Sequence, residues 1–375
     1  MKKIILFGIF LAIIGVSVII FWYFKSKMTV EQSVSESTVS VPIASEVITS
    51  DSKTTGAKIV FAADFSTGTG CAAHKSGGCD IYSADIGWNG DVSNVRQLSS
   101  DRGVEAFPVF SADGSTVYAN NNSKGKSIIE WISYDGSSKG ILIEDATSPA
   151  PLLDRNSLVY VALPDYQITT ADFLTSTSLT NISTAGIVGE FHEPHTSVTN
   201  KVVFTQLFNE GRGSNTAQVK MFDPATNQIT SLTPSDGTAH CFWNGTGTSA
   251  VCSNAELFNG LFTVDASGSP TAVSKLLIRH PTSSQIAKVD DDFAQCRGAS
   301  YAYGTFCDAT HMIVTVGCGV ETDGVVDTTM SKLGLLDMSS TKPELIPIGK
   351  YLADAFGGPG VSSYTVDCLV KDIEN

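Results

Sequence analysis

Histidine and carboxylate side chains cluster in one short stretch of this chain, and they are the residues best suited to chemistry. The stretch "GEFHEPH" carries Glu190, His192, Glu193 and His195 within seven residues. Imidazoles and carboxylates that converge can bind a divalent metal ion or act as a general acid and base. The other members of the candidate set are Glu105, Asp236, His240, Asp290, Asp291 and Asp292. Their chemistry depends on whether the fold brings them together.

Cysteines form the second group of chemically informative residues. The chain has eight of them: Cys71, Cys79, Cys241, Cys252, Cys296, Cys307, Cys318 and Cys368. An even number that avoids the N-terminal segments favours disulfide bonds made in an oxidising compartment. The alternative is eight unrelated buried thiols, whereas zinc is disfavoured because no Cys-x-x-Cys pair occurs.

The N-terminal residues predict a membrane anchor and a tether. The 21 residues from Ile4 to Phe24 carry no charge and are flanked by lysines on both sides. A helix of that length spans the hydrocarbon layer, so we expect residues 1–27 to be an uncleaved, single-pass transmembrane anchor, with a cleaved signal peptide as the alternative. Residues 28–56 are rich in Ser, Thr and Val and predict a flexible linker. The cysteines then place the C-terminal domain outside the cytoplasm.

Charge and composition exclude one class of partner. The chain has 375 residues and a formal net charge of −14. A surface this acidic repels phosphate backbones, so nucleic acid is not an expected partner. Short runs of Val, Ile, Thr and aromatic residues favour β-strands over helices.

The elements that must position the candidate residues are hairpins that recur along the chain. The stretch "FPVFSADGSTVYANN" (107–121) reads as a strand, an Asp-Gly turn and a second strand. Similar hairpins occur at 150–162, 193–206, 240–254 and 303–317. The residues aligned with Gly114 at the turn are Asn156, Asn200, Gly247 and Thr310. Glycine and asparagine tolerate the positive φ of such turns.

A second recurring pattern lies between these hairpins: an alternating apolar strand, an Asp-containing turn and a further short strand. Each unit thus has four strands, which is the content of a propeller blade. The segment that starts at Ala57 supplies three strands of a sixth blade, and "VSSYTVDCLV" (361–370) remains to supply its innermost strand. We therefore predict an all-β, six-bladed propeller over residues 57–375. The alternative is a linear array of hairpins with a separate C-terminal domain.

One blade resembles the TolB-like propeller family. The matching residues are Ile81, Tyr82, Asp85, Arg96, Leu98, Pro108, Ser111, Asp113 and Gly114. The other blades keep fewer of these positions, and Ala112 stands where the family has proline. The resemblance implies the propeller fold over about residues 57–370, whereas the matched residues shape turns and imply no activity. Members of that family serve as periplasmic binding scaffolds or as propeller parts of peptidases and lyases.

The blade geometry predicts disulfide pairs. We expect Cys71–Cys79 within one loop, Cys241–Cys252 across one hairpin, Cys296–Cys318 on one face and Cys307–Cys368 on the other. Cys241 and Cys252 flank one hairpin and face each other if its turn has two residues. A three-residue turn with a bulge would shift the register and separate them.

The candidate site is predicted over the propeller axis, where the loops leading into the innermost strands converge. The leading hypothesis is a membrane-anchored, extracytoplasmic binding or scaffold module for a protein, peptide or glycan, with no cofactor. The alternative is a metal-assisted lyase or hydrolase that uses Glu190, His192, His195 and His240, with the three histidines as candidate ligands of a divalent metal. The resemblance adds to this alternative, because lyases of the family bind a metal through pore-facing histidines. A solvated acidic rim with surface histidines, or a purely structural surface protein, also fits the sequence.

Overall fold

A computed structural model describes most of the predicted domain. The ranges it describes are residues 56–64, 79–100, 103, 105–122, 125–153, 157–172, 179–181, 190–208, 217–234, 238–254, 260–266, 275–282, 298–322, 325–340, 342–348 and 362–370. The predicted anchor (1–27) and all but the last residue of the predicted linker (28–56) lie outside them. Within these ranges, the chain contains no helix long and apolar enough to cross a membrane.

The described chain is built of β-strands. Blade 1 contains β1 (Gly56–Asp64), β2 (Asp80–Gly87) and β3 (Val92–Gln97). Blade 2 contains β4 (Glu105–Phe110), β5 (Thr116–Asn121), β6 (Ile128–Ser133) and β7 (Lys139–Glu144). Blade 3 contains β8 (Ala146–Leu152), β9 (Ser157–Ala162), β10 (Gln167–Asp172) and β11 (Leu179–Asn181).

The second half of the chain repeats this arrangement. Blade 4 contains β12 (Glu190–Thr196), β13 (Val202–Leu207), β14 (Ala217–Asp223) and β15 (Gln228–Ser231). Blade 5 contains β16 (Thr238–Trp243), β17 (Ser249–Asn254), β18 (Gly260–Asp265) and β19 (Lys275–Arg279). Blade 6 contains β20 (Gly298–Phe306), β21 (His311–Thr322), β22 (Val325–Asp337) and β23 (Leu345–Pro347).

The C-terminal strand closes the propeller. Strand β24 (Ser362–Val370) pairs antiparallel with β1, so blade 1 has the order β24-β1-β2-β3. The other five sheets each follow chain order, and the described chain therefore forms six four-stranded antiparallel blades. Closing one sheet with both ends of the domain removes two unpaired strand edges. The prediction of a six-bladed all-β propeller with this closure is confirmed.

The core lies between the blades. Successive side chains of a strand point to opposite faces, so each blade can bury apolar residues against both neighbours. Val202 and Phe204 pack toward blade 3, whereas Val203 between them packs toward blade 5. Among the described residues there are six apolar clusters, one at each interface between neighbouring blades. A single blade would leave both faces in water, so the ring as a whole is the stable unit.

Turn residues behave largely as their types predict. Gly114, Asn200 and Gly247 have φ of 68°, 61° and 68°, respectively, at the aligned turn position. Thr310 is not among the residues with positive φ; its turn is held by Asp308, which accepts hydrogen bonds from the backbone N–H groups of Thr310 and His311, both at 2.7 Å. Asn156 lies outside the described residues.

Every innermost strand carries a β-bulge near its middle, which the sequence patterns did not predict. The pairing register shifts by one residue in each of the six pairs of innermost and second strands. Four bulged residues have left-handed backbone conformations: Phe107, Ser148, Glu193 and His240, with φ between 51° and 55°. A bulge bends its strand and redirects a side chain. Proline follows three of these residues, where the broken ladder needs no N–H donor.

Two disulfide bonds lie within the described residues. Cys241–Cys252 joins β16 to β17, with a Cα–Cα distance of 4.2 Å. The connection between these strands is longer than two residues and a bulge is present. The bulge lies at His240, however, and the cysteine pair lies between the bulge and the turn. The pairing register on this side of the bulge places Phe242 opposite Val251, and the same register brings the two cysteines together.

The second bond, Cys307–Cys368, joins blade 6 to the closing strand β24, with a Cα–Cα distance of 5.3 Å. Both bonds have the predicted connectivity. Cys79 is also disulfide-bonded, while its predicted partner Cys71 lies outside the described residues. The predicted Cys296–Cys318 bond also falls on positions outside the described set, since Cys296 and the side chain of Cys318 are not described.

Candidate functional site

The bulges place one residue from each blade around the propeller axis. Four of them have the positive φ described above, and two mark the register shifts of β20 and β24. We call these residues the axial ring; its members are Phe107, Ser148, Glu193, His240, Tyr303 and Thr365. All six line one cavity, and each comes from a different blade. The fold thus brings to one point residues that are up to 258 positions apart in the chain.

The polar centre of the axial ring is a triad from three consecutive blades. Nδ1–H of His240 donates a hydrogen bond of 2.7 Å to Glu193 Oε2. The hydroxyl group of Tyr303 donates a hydrogen bond of 2.8 Å to the other oxygen, Glu193 Oε1. The rings of His240 and Tyr303 also meet edge to face, with their centroids 4.9 Å apart. One carboxylate therefore fixes the orientation of both an imidazole and a phenol.

The other three members of the axial ring are one aromatic and two hydroxyl residues, Phe107, Ser148 and Thr365. Phe107 and Tyr303 meet edge to face with ring centroids 6.5 Å apart. The backbone N–H of Phe107 donates a 2.9 Å hydrogen bond to Thr365 Oγ1, which ties the closing strand to blade 2. The axial ring thus combines a hydrogen-bonded acid–base pair with aromatic surface, as in sites that bind organic ligands.

Electrostatic interactions favour the charged forms of both members of the acid–base pair. Burial by itself would raise the pKa of Glu193, but attraction to His240 and hydrogen bonds from His240 and Tyr303 outweigh it, so that pKa is below its ordinary value. The Glu193 carboxylate in turn raises the pKa of His240, against the opposing effect of burial. The His240 side chain is 42% exposed and that of Glu193 is 19% exposed, so the imidazole remains open to a ligand in the channel.

The axial ring narrows a channel that widens toward one face. The cavity at the ring has a volume of about 60 Å³, room for about two water molecules. It leads, through the shared lining residues Val109, Pro194 and His195, to a chamber of about 400 Å³. That chamber lies at the hairpin face, the face formed by the turns between innermost and second strands. Its volume is within the range of small-molecule pockets.

The predicted histidines do not form one cluster. His240 pairs with Glu193, whereas His192 pairs with Glu190 at 3.2 Å and lies against Tyr166 with ring centroids 5.1 Å apart. His195 lines the channel on the hairpin side of the axial ring, and burial lowers its pKa to about 4. Among the described residues, no group of three or more His, Cys, Asp or Glu side chains is arranged to hold a metal ion. The metal site therefore stays a prediction.

Glu105 does not belong to the axial site. Its side chain is fully buried, where it accepts hydrogen bonds from Ser99 and, at 3.0 Å, from Asn121 Nδ2. Burial, with the adjacent carboxyl group of Glu130, raises the pKa of Glu105 to about 9. It therefore stays protonated at neutral pH and serves the packing of blade 2. The remaining predicted acidic residues, Asp236 and Asp290–Asp292, lie outside the described residues.

The position of the site differs from the prediction in one respect. We expected Glu193 and His240 on loops above the axis, but both lie within innermost strands, at the bulges. Proline and charged residues suggested that the innermost strands do not include these positions. The strands do include them, because a bulge accommodates such residues inside a strand.

Sequence reasoning missed Tyr303, Phe107, Ser148 and Thr365. A signal was present for two of them in the aligned hairpins. Phe107, Glu193, His240 and Tyr303 each lie seven residues before the turn residue of their own hairpin. Residues in one column of a propeller repeat occupy equivalent places around the axis. The column that contains the predicted candidates Glu193 and His240 therefore also contains Phe107 and Tyr303.

Comparison with known proteins extends only to the fold. No protein-family model and no curated protein sequence matches the chain. TolB from Acinetobacter baumannii superimposes with a TM-score of 0.52 and 11% identity, over 77% of this chain and 65% of that chain. This chain thus spans less than two thirds of the length of that protein.

Two further solved structures show a weaker likeness. A chain of a nidogen/laminin complex has a TM-score of 0.49 and 12% identity over 84% of this chain and 98% of its own length. An oligogalacturonate lyase from Vibrio parahaemolyticus has a TM-score of 0.43 and 11% identity over 72% and 71% of the two chains. At such identities a superposition establishes architecture and not activity. The fold of this chain is that of a TolB-like six-bladed β-propeller.

Proposed function

We propose that this protein is a binding module that recognises a protein, peptide or glycan ligand through its axial channel. The observation that carries the proposal is the triad Glu193–His240–Tyr303. Its members come from three blades, are held by hydrogen bonds of 2.7 and 2.8 Å, and leave the imidazole 42% exposed. A polar centre preorganised by the scaffold and framed by aromatic surface suits recognition of a hydrogen-bonding ligand.

We further propose that the propeller lies outside the cytoplasm and that residues 1–27 anchor it in the membrane. The disulfide bonds Cys241–Cys252 and Cys307–Cys368 support the first part, because such bonds persist in oxidising compartments. The apolar sequence between Ile4 and Phe24 supports the second part. A domain on such a tether would meet ligands on the outer side of the membrane.

The proposed function is tested by measuring binding of the full-length chain to arrays of synthetic peptides and oligosaccharides. The variants are Glu193→Gln, His240→Gln and Tyr303→Phe, which remove one triad contact each. Asp308→Asn is the matched control, since Asp308 also pairs with a histidine, His311, at 2.8 Å but lies outside the axial ring.

We expect ligands of the parent chain to lose about tenfold or more in affinity with each triad variant, as hydrogen bonds to charged groups are lost. The control should bind like the parent. A parent chain that binds no member of the arrays, or triad variants that bind as tightly as the parent, would overturn the proposal. So would a stoichiometric divalent metal ion that is lost on His192→Ala and His240→Ala, because that result favours the metal-assisted lyase or hydrolase.

A further inference from the structure

The chamber at the hairpin face is distinct from the axial ring. It has a volume of about 400 Å³, and no member of the axial ring lines it. Strands from blades 2, 3, 4 and 6 and the closing strand β24 contribute its walls. The chamber, like the axial ring, therefore forms only in the closed propeller. Its polar side chains are different from those of the axial ring.

One acidic side chain dominates the electrostatics of this chamber. Asp367 of β24 lines it, and its Oδ2 accepts a 2.9 Å hydrogen bond from the backbone N–H of Phe110. Its Oδ1 accepts a longer hydrogen bond of 3.4 Å from the hydroxyl group of Thr305. The backbone N–H of Cys368 is a third donor to this carboxylate. A carboxylate offers about four lone-pair sites, so these contacts leave capacity for one further donor.

The walls described for the chamber contain no cation to neutralise this carboxylate. Neither lysine nor arginine occurs among its described lining residues, and the two cysteines there form the Cys307–Cys368 disulfide. The other ionisable lining residue is His195, which burial keeps neutral by lowering its pKa to about 4. Burial also raises the pKa of Asp367 to about 6, as expected of an acid that lacks a cationic partner.

Part of the chamber lining is apolar and exposed. Val198 is 61% exposed and Leu153 is 44% exposed, and both line the chamber. Among the large hydrophobic residues of the described chain, Val198 is the most exposed and Leu153 is the third most exposed, after Ile141. Phe306 and Leu369 add to the apolar wall. The described lining of the chamber thus combines exposed apolar side chains with a carboxylate that has no cationic partner there.

We propose that the hairpin-face chamber is a binding site for a primary ammonium group carried on a short apolar chain. The ammonium group donates to Asp367, and the apolar chain lies against Val198 and Leu153. Both a free alkylamine and the side chain of a lysine residue have this chemistry. The site goes beyond the function proposed for the axial ring and does not require it, because the two sets of polar residues are separate.

The test uses the full-length chain with 15N-labelled phenylalanine and follows the amide signal of Phe110, which donates to Asp367. The probes are n-butylammonium, n-butanol and butyrate, which have similar apolar chains and different head groups. We expect a saturable shift with butylammonium, binding at least about tenfold weaker with butanol, and none with butyrate. Affinity should rise about fourfold per methylene from methylammonium to butylammonium.

Variants, a lower pH and a lysine peptide complete the test. Asp367→Asn should weaken butylammonium binding about tenfold or more, whereas Glu144→Gln, at an exposed carboxylate outside the chamber lining, should leave it unchanged. If Asp367→Asn does not fold, the parent at pH 5 supplies the same test, since protonation of Asp367 should weaken binding relative to pH 7.5. The double variant Leu153→Ser/Val198→Ser should reduce the gain per methylene. A capped lysine peptide distinguishes the two sources: its binding assigns a peptide ligand, and binding of the free amine alone assigns a small molecule.

Three results would overturn the proposal. The first is butanol or butyrate binding as tightly as butylammonium. The second is butylammonium binding that Asp367→Asn, or the change from pH 7.5 to pH 5, leaves unaltered. The third is an absence of any shift with butylammonium at pH 7.5.

Discussion

Glu193 and His240 acquire their character from each other and not from their positions in the sequence. Each would be an ordinary surface residue on a loop, but the bulges hold the imidazole and the carboxylate at 2.7 Å. Glu193 stabilises the fold above its ordinary pKa of 4.5, and this contribution is lost as the pH falls through its lowered value. His240 contributes fully below 6.5, and its contribution is lost as the pH rises through its raised value. Their ion pair is therefore most stabilising between about pH 4.5 and 6.5.

The buried carboxyl group of Glu105 has a raised pKa, opposite in direction to that of Glu193, and it gives a second prediction about a single residue. Its pKa is raised from 4.5 to about 9, mainly by burial, so the folded chain holds this proton more tightly than the unfolded chain. The free energy of unfolding must therefore fall as the pH rises through that interval. We expect Glu105→Gln to make the free energy of unfolding clearly less dependent on pH between 5 and 9, as measured by urea denaturation.

The control for this prediction is Glu144→Gln. The Glu144 side chain is 62% exposed and lies 3.9 Å from Lys126, so its loss should leave the pH dependence as in the parent. Equal pH dependence in the parent and in Glu105→Gln would show that Glu105 is not protonated within the folded chain.

At the scale of the element, turns were predictable and bulges were not. Gly114, Asn200 and Gly247 mark turns because their residue types tolerate positive φ. The bulged residues Phe107 and His240 have the same sign of φ, but nothing in their types announces it. Tertiary packing around the axis imposes these conformations. This is why the hairpins could be placed from the sequence, while the position of the site along each strand could not.

Gly114 offers a test of how a turn contacts the closing strand. Its φ is 68°, and a Cβ atom there would collide with the side chain of Leu369 on β24. Gly125 has a φ of 73°, but a Cβ atom would meet no described atom within 4 Å. Both alanine variants should lose about 1–2 kcal/mol of unfolding free energy to backbone strain. Gly114→Ala should lose up to about 1 kcal/mol more, because the terminal methyl group of Leu369 must shift to admit the Cβ atom.

The comparison is made by urea denaturation of the two variants and the parent chain. Because the backbone strain is common to both variants, their difference isolates the contact with Leu369. Equal destabilisation of the two would mean that this turn does not touch the closing strand.

The architecture of the whole molecule was easier to predict than the position of the site, because the closing strand follows from counting the strands of each blade. Five hairpins and one incomplete blade left residues 361–370 as the remaining candidate for an innermost strand, and β24 fills that place. The chemical consequences of closure could not be read in the same way. Asp367 enters the hairpin-face chamber, and Thr365 enters the axial ring, only when the C-terminus has joined blade 1. Neither residue belongs to a motif.

The disulfide bonds predict how strongly closure matters. Cys307–Cys368 spans 61 residues and fastens the closing strand, whereas Cys241–Cys252 spans 11 residues within one hairpin. Loop entropy gives about 4 kcal/mol for the first bond and about 3 kcal/mol for the second. We expect replacement of Cys307 and Cys368 by alanine to lower the midpoint of thermal unfolding more than the same replacement at Cys241 and Cys252. The reverse order would show that closure does not limit stability.

The most direct test of this account is an NMR titration of His240 in the full-length chain and in Glu193→Gln. Radial closure brings blades 4, 5 and 6 together at a hydrogen-bonded triad, and this arrangement has a direct consequence for the imidazole. It predicts a pKa of His240 above 6.5 in the parent chain and a lower value in Glu193→Gln. A pKa of His240 that is ordinary in the parent and unchanged in Glu193→Gln would contradict the triad and the site built on it.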